Sequence, residues 1–175
     1  GLLTGCVQRH LYPGVNRVTA ALLALAGFVV VIPRSQGCCG APEPPAGRAQ
    51  PPGARARALA AAFPDDLDFV VTNAAGCGGA MKEYGARIPE LAGFAARVRD
   101  VVEVLVAADL PLGPLDLTVA YHDACHLAHG QRLKQEPRQL LRRIPGLRLG
   151  ELADSGLCCG SAGIYNLLVP GLGGE

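Results

Sequence analysis

A repeated cysteine unit narrows the possible folds of this chain more than any other feature. Cys6 is followed by 31 residues and then Cys38-Cys39-Gly40, and Cys125 by 32 residues and then Cys158-Cys159-Gly160. Gly27-Phe28 and Gly146-Leu147 occupy equivalent places between them. Self-similarity at a fixed spacing marks a duplicated structural unit. Adjacent cysteines bridge each other only with strain, because consecutive Cα atoms are about 3.8 Å apart, below the usual disulfide range. The same pair twice in one register therefore suggests thiolates aimed at a shared metal centre. Soft thiolates suit iron–sulfur clusters, zinc or Cu(I). Gly40 and Gly160 let the backbone come close to a bulky centre. A lone cysteine is most often a small core residue, but two matched units argue against that for the set. Zinc with four ligands stays open for the first unit, although the close Cys-x2-Cys knuckles usual for zinc are not in the sequence.

Between the cysteines the pattern alternates strand and helix. Leu2–Thr4 reads as a short strand ending near Cys6. Pro13 opens a helix, Val15, Val18, Leu22 and Leu25 recur at helical spacing, and Gly27 ends it. Phe28–Ile32 is continuous and β-branched, as a strand buried on both faces should be. Ala41–Ala58 is a loop through its first half, with prolines at 42, 44, 45, 51 and 52, and helix is expected from Ala54 to Ala62. Asp68–Thr72 is the next strand, leading to Cys77. Lys82-Glu83-Tyr84 reads as a helix start on the surface. Ile88–Asp109 is expected as one amphipathic helix, with Leu91, Phe94, Val98, Val101 and Leu105 on one face. After a Pro-Leu-Gly-Pro linker at 111–114 the pattern restarts. Leu117–Tyr121 is a strand leading to Cys125, Pro137–Ile144 is a helix, and Leu147–Leu152 is strand-like before Cys158.

The expected fold is α/β, with two related cysteine-rich units and parallel strands about a pseudo-twofold axis. The first unit spans 1–112 and the second, incomplete, 113–175. In open α/β sheets the carboxyl ends of the strands line the ligand crevice. Cys6, Cys38, Cys39 and Cys77 are thus expected to converge on one spot, and Cys125, Cys158 and Cys159 to form a second set.

Composition removes several function classes. The net charge is +1, from 16 basic and 15 acidic residues, so nothing asks for nucleic acid or an anionic membrane. Tryptophan is absent and aromatics make up 5%, which leaves little for base stacking. The apolar run Val18–Ile32 is shorter than the roughly 20 residues a bilayer span needs. A buried helix followed by a strand explains it better. No signal peptide pattern is visible, so a disulfide framework is a weak reading of seven cysteines. The chain opens on an apolar run and ends without closing its repeat, and reads as part of a longer protein. His122, Asp123, His126 and His129 surround Cys125, where they could tune a centre or cap local structure. None is assigned as a ligand, nor is His10.

The cysteines sit in recognisable strings: Gly5-Cys6-Val7-Gln8, Gly37-Cys38-Cys39-Gly40, Asn73-Ala74-Ala75-Gly76-Cys77-Gly78, Tyr121-His122-Asp123-Ala124-Cys125-His126-Leu127 and Leu157-Cys158-Cys159-Gly160-Ser161-Ala162-Gly163-Ile164-Tyr165-Asn166. Together they resemble the paired cysteine-rich (CCG) domains of glycolate oxidase iron–sulfur subunits, found also in lactate-utilisation iron–sulfur proteins and in heterodisulfide reductase. The resemblance implies an electron-transfer subunit in which all seven cysteines bind an iron–sulfur cluster, either 4Fe-4S or of a non-cubane kind. It implies a partner subunit carrying FAD that oxidises a 2-hydroxy acid such as glycolate, and electrons passing towards membrane quinone. The place implied is cytoplasmic, peripheral at the inner face of the plasma membrane. No catalytic residue and no nucleic-acid partner are implied. Departures are visible. No ferredoxin-like Cys-x2-Cys run is present, Cys77 is followed by Gly78, Gly79 and Ala80 where a further cysteine closes the full motif, and Ala124 stands where many relatives have proline. Two other readings remain: a thiol–disulfide module of the heterodisulfide reductase kind, and a zinc-binding or non-catalytic cysteine-rich scaffold.

Overall fold

Three short parallel strands organise the first half of the chain. The computed structural model describes residues 1–41 and 53–157. Strand β1 is Leu2–Leu3. It is followed by α1 (Gln8–Leu11) and α2 (Pro13–Leu25), then α3 (Ala54–Ala61) and β2 (Val70–Thr72). Next come α4 (Ala75–Lys82) and α5 (Tyr84–Arg87), a 3-10 turn at Pro89–Leu91 and α6 (Ala92–Arg97), then β3 (Val98–Asp100) and α7 (Val101–Ala107). The second half holds β4 (Leu117–Tyr121), a π-turn at His126–Gly130, α8 (Glu136–Arg142) and β5 (Leu147–Glu151). The sheets are β1-β2-β3 and β4-β5, with every pairing parallel. The α/β class expected from the sequence is thus the class observed.

Register explains why the first sheet is apolar on both faces. Leu2 pairs with Val71, and Val70 pairs with Val98. Successive side chains in a strand point to opposite faces, so Leu2 and Val71 join a core with Leu23, Val104 and Leu105 beneath α2 and α7. Leu3, Val70 and Val98 join the opposite core with Leu59, Met81, Tyr84 and Phe94. Leu2, Val70 and Val98 are fully buried. Each such side chain stabilises by about 1.5–3 kcal/mol relative to exposure.

Helix α2 ends as the sequence predicts. Gly27 adopts a left-handed φ of +89°. Its N–H bonds to the Ala24 carbonyl and the Phe28 N–H bonds to Leu23. That pair of bonds is the Schellman arrangement for which glycine is preferred. The apolar run Val18–Ile32 is therefore a helix and a loop, and no helix among the described residues is long and apolar enough to cross a membrane.

Several expectations fail. Helix α2 is not buried along its apolar positions: Val15, Val18 and Leu25 are exposed, and Leu23 faces the core instead. Phe28–Ile32 is not a regular strand. It lies beside β1 through the Leu2 N–H bond to Val31 (2.8 Å), and Val29 is 92% exposed. Its β-branched run is an outer edge segment and not a doubly buried strand. Nor is Ile88–Asp109 one helix. Val98–Asp100 peels out as β3, because the sheet needs a third strand beside β2 and Val98 fills its core face. Asp100 then restarts the helix with a capping box: its side chain accepts from the Val102 N–H, and Glu103 accepts from the Asp100 N–H (2.7 Å). Leu91, Phe94, Val98 and Leu105 are all buried as foreseen, but by four different elements: the 3-10 turn, α6, β3 and α7.

The halves interlock. Leu140 of α8 packs against the core beneath α7. Arg143, just after α8, donates to the carbonyls of Leu105, Val106 and Ala108 at 2.7–3.3 Å. Those carbonyls lie at the C-terminus of α7, where intrahelical donors run out, so a side chain of the second half caps a helix of the first.

Candidate functional site

Cys6, Cys38, Cys39 and Cys77 come together beyond the carboxyl ends of β1 and β2. Gly5, at φ +71°, turns the chain out of β1 and delivers Cys6. Cys77 sits in the first turn of α4, three residues beyond the Asn73-Ala74 loop that follows β2. Cys38 and Cys39 arrive on a loop secured by Gln36, a residue the sequence reading did not single out. Gln36 is buried, accepts from the Thr4 N–H (2.8 Å), and donates to the carbonyls of Pro33 (2.9 Å) and Leu2 (3.3 Å). It ties the Cys38-Cys39 loop to the end of β1.

A second polar brace holds the Cys77 side. Asn73 donates to Asn16 Oδ1 (3.0 Å) and Thr19 Oγ1 (2.8 Å) and accepts from Gln8 Nε2 (2.5 Å). Asn16 in turn donates to the Thr4 carbonyl (2.8 Å). Asn16 and Thr19 are buried on α2. Two polar residues at i and i+3 on a largely apolar helix were the available signal, since buried polar groups require partners.

The sulfurs form two close pairs: Cys6 Sγ to Cys38 Sγ is 3.3 Å, and Cys39 Sγ to Cys77 Sγ is 3.0 Å. The five cysteines among the described residues are free thiols. The hydrogen bond shared with Cys77, together with backbone N–H groups, draws the buried Cys39 thiol down to about 7. The same bond, with burial, pushes Cys77 strongly up. Burial pushes Cys38 up to about 11, although the Gly40 N–H donates to its sulfur (3.4 Å). The cause common to Cys38 and Cys77 is that several thiolates crowd together in a half-buried place, and neighbouring negative charge disfavours each further ionisation. A cation would reverse that sign. The gathered donors are thiols alone, the set that iron–sulfur clusters take. Among the described residues no three of His, Cys, Asp and Glu are arranged around a single metal ion; the sulfurs remain as two pairs.

Tyr84 closes the floor of the site. Expected at the surface, it is buried, stacks on Phe94 and donates its hydroxyl to the Cys39 carbonyl (2.5 Å). Lys82 ends α4 and pairs with Glu103 (2.5 Å).

The second set is visible only through Cys125, which is exposed at the start of the π-turn after β4. Cys158 and Cys159 lie outside the described residues. His122, His126 and His129 are exposed. Asp123 has a structural partner that the sequence reading missed: buried Arg138 grips it through both guanidinium amines (2.7 and 3.1 Å), donates to Glu151 (3.0 Å) and lies over the Tyr121 ring (4.8 Å). Ser155 also donates to Asp123 (3.4 Å), and the Asp123 N–H donates to the Ser155 carbonyl (2.9 Å). Pro137 marks the start of α8 in the sequence, and nothing local distinguishes the arginine beside it.

The profile of the cysteine-rich domain (CCG) family matches residues 1–82 and 119–170. A probable glycolate oxidase iron–sulfur subunit of Bacillus subtilis (strain 168) is 38% identical over 94% of this chain and 40% of its own length. The glycolate oxidase iron–sulfur subunit of Escherichia coli (strain K12) is 36% identical over 98% of this chain and 45% of its own. A fumarate reductase (CoM/CoB) subunit from Methanothermobacter marburgensis is 35% identical over 93% of this chain and 33% of its own. The chain thus spans 33–45% of the length of these relatives.

Proposed function

The chain belongs to the cysteine-rich (CCG) domain family, and on that premise we propose that it forms the cluster-binding part of an iron–sulfur electron-transfer subunit serving a glycolate or other 2-hydroxy-acid oxidase. The observation that carries the reading is the gathering of four thiols from three separate segments, Cys6, Cys38-Cys39 and Cys77, at the carboxyl edge of a parallel sheet. In this reading those four residues hold one cluster, and Cys125, Cys158 and Cys159 contribute to a second within residues 113–175. A bound cluster supplies one-electron transfer. The chain supplies thiolates, a buried wall formed by Cys39 and Tyr84, and backbone N–H groups at Gly40 and Ala41 that lower the cost of negative charge on sulfur. The two units, 1–112 and 113–175, would stand about a pseudo-twofold axis. A flavin-containing subunit would deliver electrons, and a quinone-type acceptor at the inner face of the plasma membrane would receive them.

Anaerobic loading with iron and sulfide, followed by metal and sulfide analysis and EPR, tests this. Uptake of both, lost in C39S and C77S, is the expected result. A chain that never takes up iron, or takes up zinc without sulfide, would sink it.

One observation favours a second reading. The Cys39 thiol, drawn to about 7, has Cys77 Sγ at 3.0 Å, an attacking thiolate beside a resolving thiol. Cys39 would attack one sulfur of a disulfide substrate and release the other as a thiol. Cys77 would then displace the second, leaving a Cys39–Cys77 disulfide after two electrons reach the substrate. Release of thiol from an added disulfide by the reduced, metal-free chain, lost in C39S, would favour this reading. A lack of release removes it.

A further inference from the structure

The glycine run around Cys77 is where the second half of the chain docks. A Cβ added at Gly76 would lie 4.0 Å from the His126 ring, and one at Gly79 would lie 4.0 Å from Gln131 Cγ. At Gly78 it would come within 2.5 Å of Gln131 Nε2. The Cys-Gly-Gly string, read from sequence as a lost ligand position, thus leaves room for residues from the π-turn that follows Cys125.

Gln131 is the centre of that contact. Its N–H donates to the His126 carbonyl (2.9 Å), closing the π-turn. Its side-chain Nε2 donates to the Ala75 carbonyl in the first turn of α4 (3.0 Å) and to Asp100 Oδ2 at the N-cap of α7 (3.1 Å). Its Oε1 is buried and has no partner among the described residues. One amide therefore touches both sides of Cys77, at Ala75 and at Gly78, while its own backbone is bonded to a residue adjacent to Cys125. Buried amides with few alternative partners hold their geometry firmly, because leaving the acceptors unmatched is costly. Single-turn π-bulges recur at functional sites, and this one sets the direction in which Gln131 leaves the backbone.

We propose that Gln131 is a positioning residue that clamps the Cys77 helix to the turn after Cys125, so that the second cysteine segment sets the orientation of a thiol belonging to the first. Its meaning for electron transfer rests on the function proposed above, but the clamp itself does not. Through it, a change at Cys125 reaches the first thiol set by moving α4.

The test is site-resolved alkylation of the reduced, metal-free full chain, quantified by mass spectrometry of the Cys77 and Cys38 peptides. Q131A is expected to raise the Cys77 rate about tenfold, the size of one hydrogen bond no longer opposing local opening, and to leave Cys38 unchanged. G78A should do the same, since its new methyl group meets only the movable end of Gln131. The double variant should do no more than either single one, because both remove one contact. Q131M, which keeps the side-chain stem without the amide, serves if Q131A does not fold. An unchanged Cys77 rate, an equal rise at Cys38, or additive effects in the double variant would overturn the proposal. After loading with iron and sulfide, the EPR line shape should change in Q131A and stay as wild type in R142A; a line shape unchanged in Q131A also overturns it. A wild-type chain that takes up no iron defeats the electron-transfer reading and leaves the alkylation result to decide the clamp.

Discussion

Replacing Gln36 by leucine removes three hydrogen bonds at once and leaves the Thr4 N–H and the carbonyls of Leu2 and Pro33 without this partner. The expected cost is about 2–3 kcal/mol in urea unfolding, with iron uptake falling in parallel; a change under about 0.5 kcal/mol would show that the loop is held by other means. The thiols give a pH signature. Cys38 is raised from its ordinary 9.0 to about 11 by burial, and Cys77 is raised by the hydrogen bond it shares with Cys39. A raised acid favours its neutral form in the folded state, so this stability is complete below about pH 9 and is lost as pH climbs towards 11. Cys39, drawn down to about 7, works the other way: its contribution is present above its ordinary 9.0 and lost as pH falls through 7. The metal-free chain should therefore melt at steadily lower temperature from pH 9 to 11. C38S should flatten that slope; an equal slope in C38S would count against the assignment. The cysteines themselves were legible in the sequence, because residue type and spacing carry their chemistry. Gln36 and Tyr84 were not, because a glutamine in a loop or a tyrosine at a helix start declares nothing until its partners are placed.

At the scale of elements, stability depends on helix ends and on one buried ion pair. Arg143 caps α7 from the second half of the chain, and R143A should cost about 1–2 kcal/mol. Circular dichroism and chemical unfolding read it. Arg138 and Asp123 are 9% and 11% exposed, so R138Q, which strands a nearly buried carboxylate, should cost about 3 kcal/mol. Glu151 is 45% exposed and its share is reduced by solvent screening. Hydrogen bonds from Arg138 hold the Asp123 carboxyl below the usual carboxylate range. That stability is present above about pH 3.9 and is lost as pH falls through the lower folded value. D123N should remove this part of the acid transition; an unaltered acid midpoint would contradict the pairing. Element type was readable where a single period ran to a glycine stop, as in α2. It failed at Ile88–Asp109, where helical spacing and burial agreed but the sheet recruited Val98–Asp100 as a strand.

At the scale of the molecule, the two halves share a core at Leu140, a helix cap at Arg143 and an amide clamp at Gln131. Such sharing predicts a single cooperative transition. Urea unfolding followed by protection of the Cys77 peptide and of the Cys125 peptide should give coincident midpoints. Midpoints about 1 M or more apart would show the halves unfolding independently. R143A and Q131A are the variants expected to separate them first.

The duplicated Cys…Cys-Cys-Gly spacing set the family resemblance without coordinates, and the alternation of strands and helices set the α/β class and the expectation that Cys77 joins Cys6, Cys38 and Cys39. These follow from local rules: which side chains ligate soft metals, where strands alternate with helices, and where strand ends converge. Only the tertiary structure decided which segment completed the sheet, which polar side chains secured the cysteine loops, and why glycines flank Cys77. Those outcomes depend on contacts between residues tens of positions apart, such as Gln131 with Ala75, whose partners no local period encodes. The repeat announced two thiol sets; the fold placed the turn of one against the helix of the other.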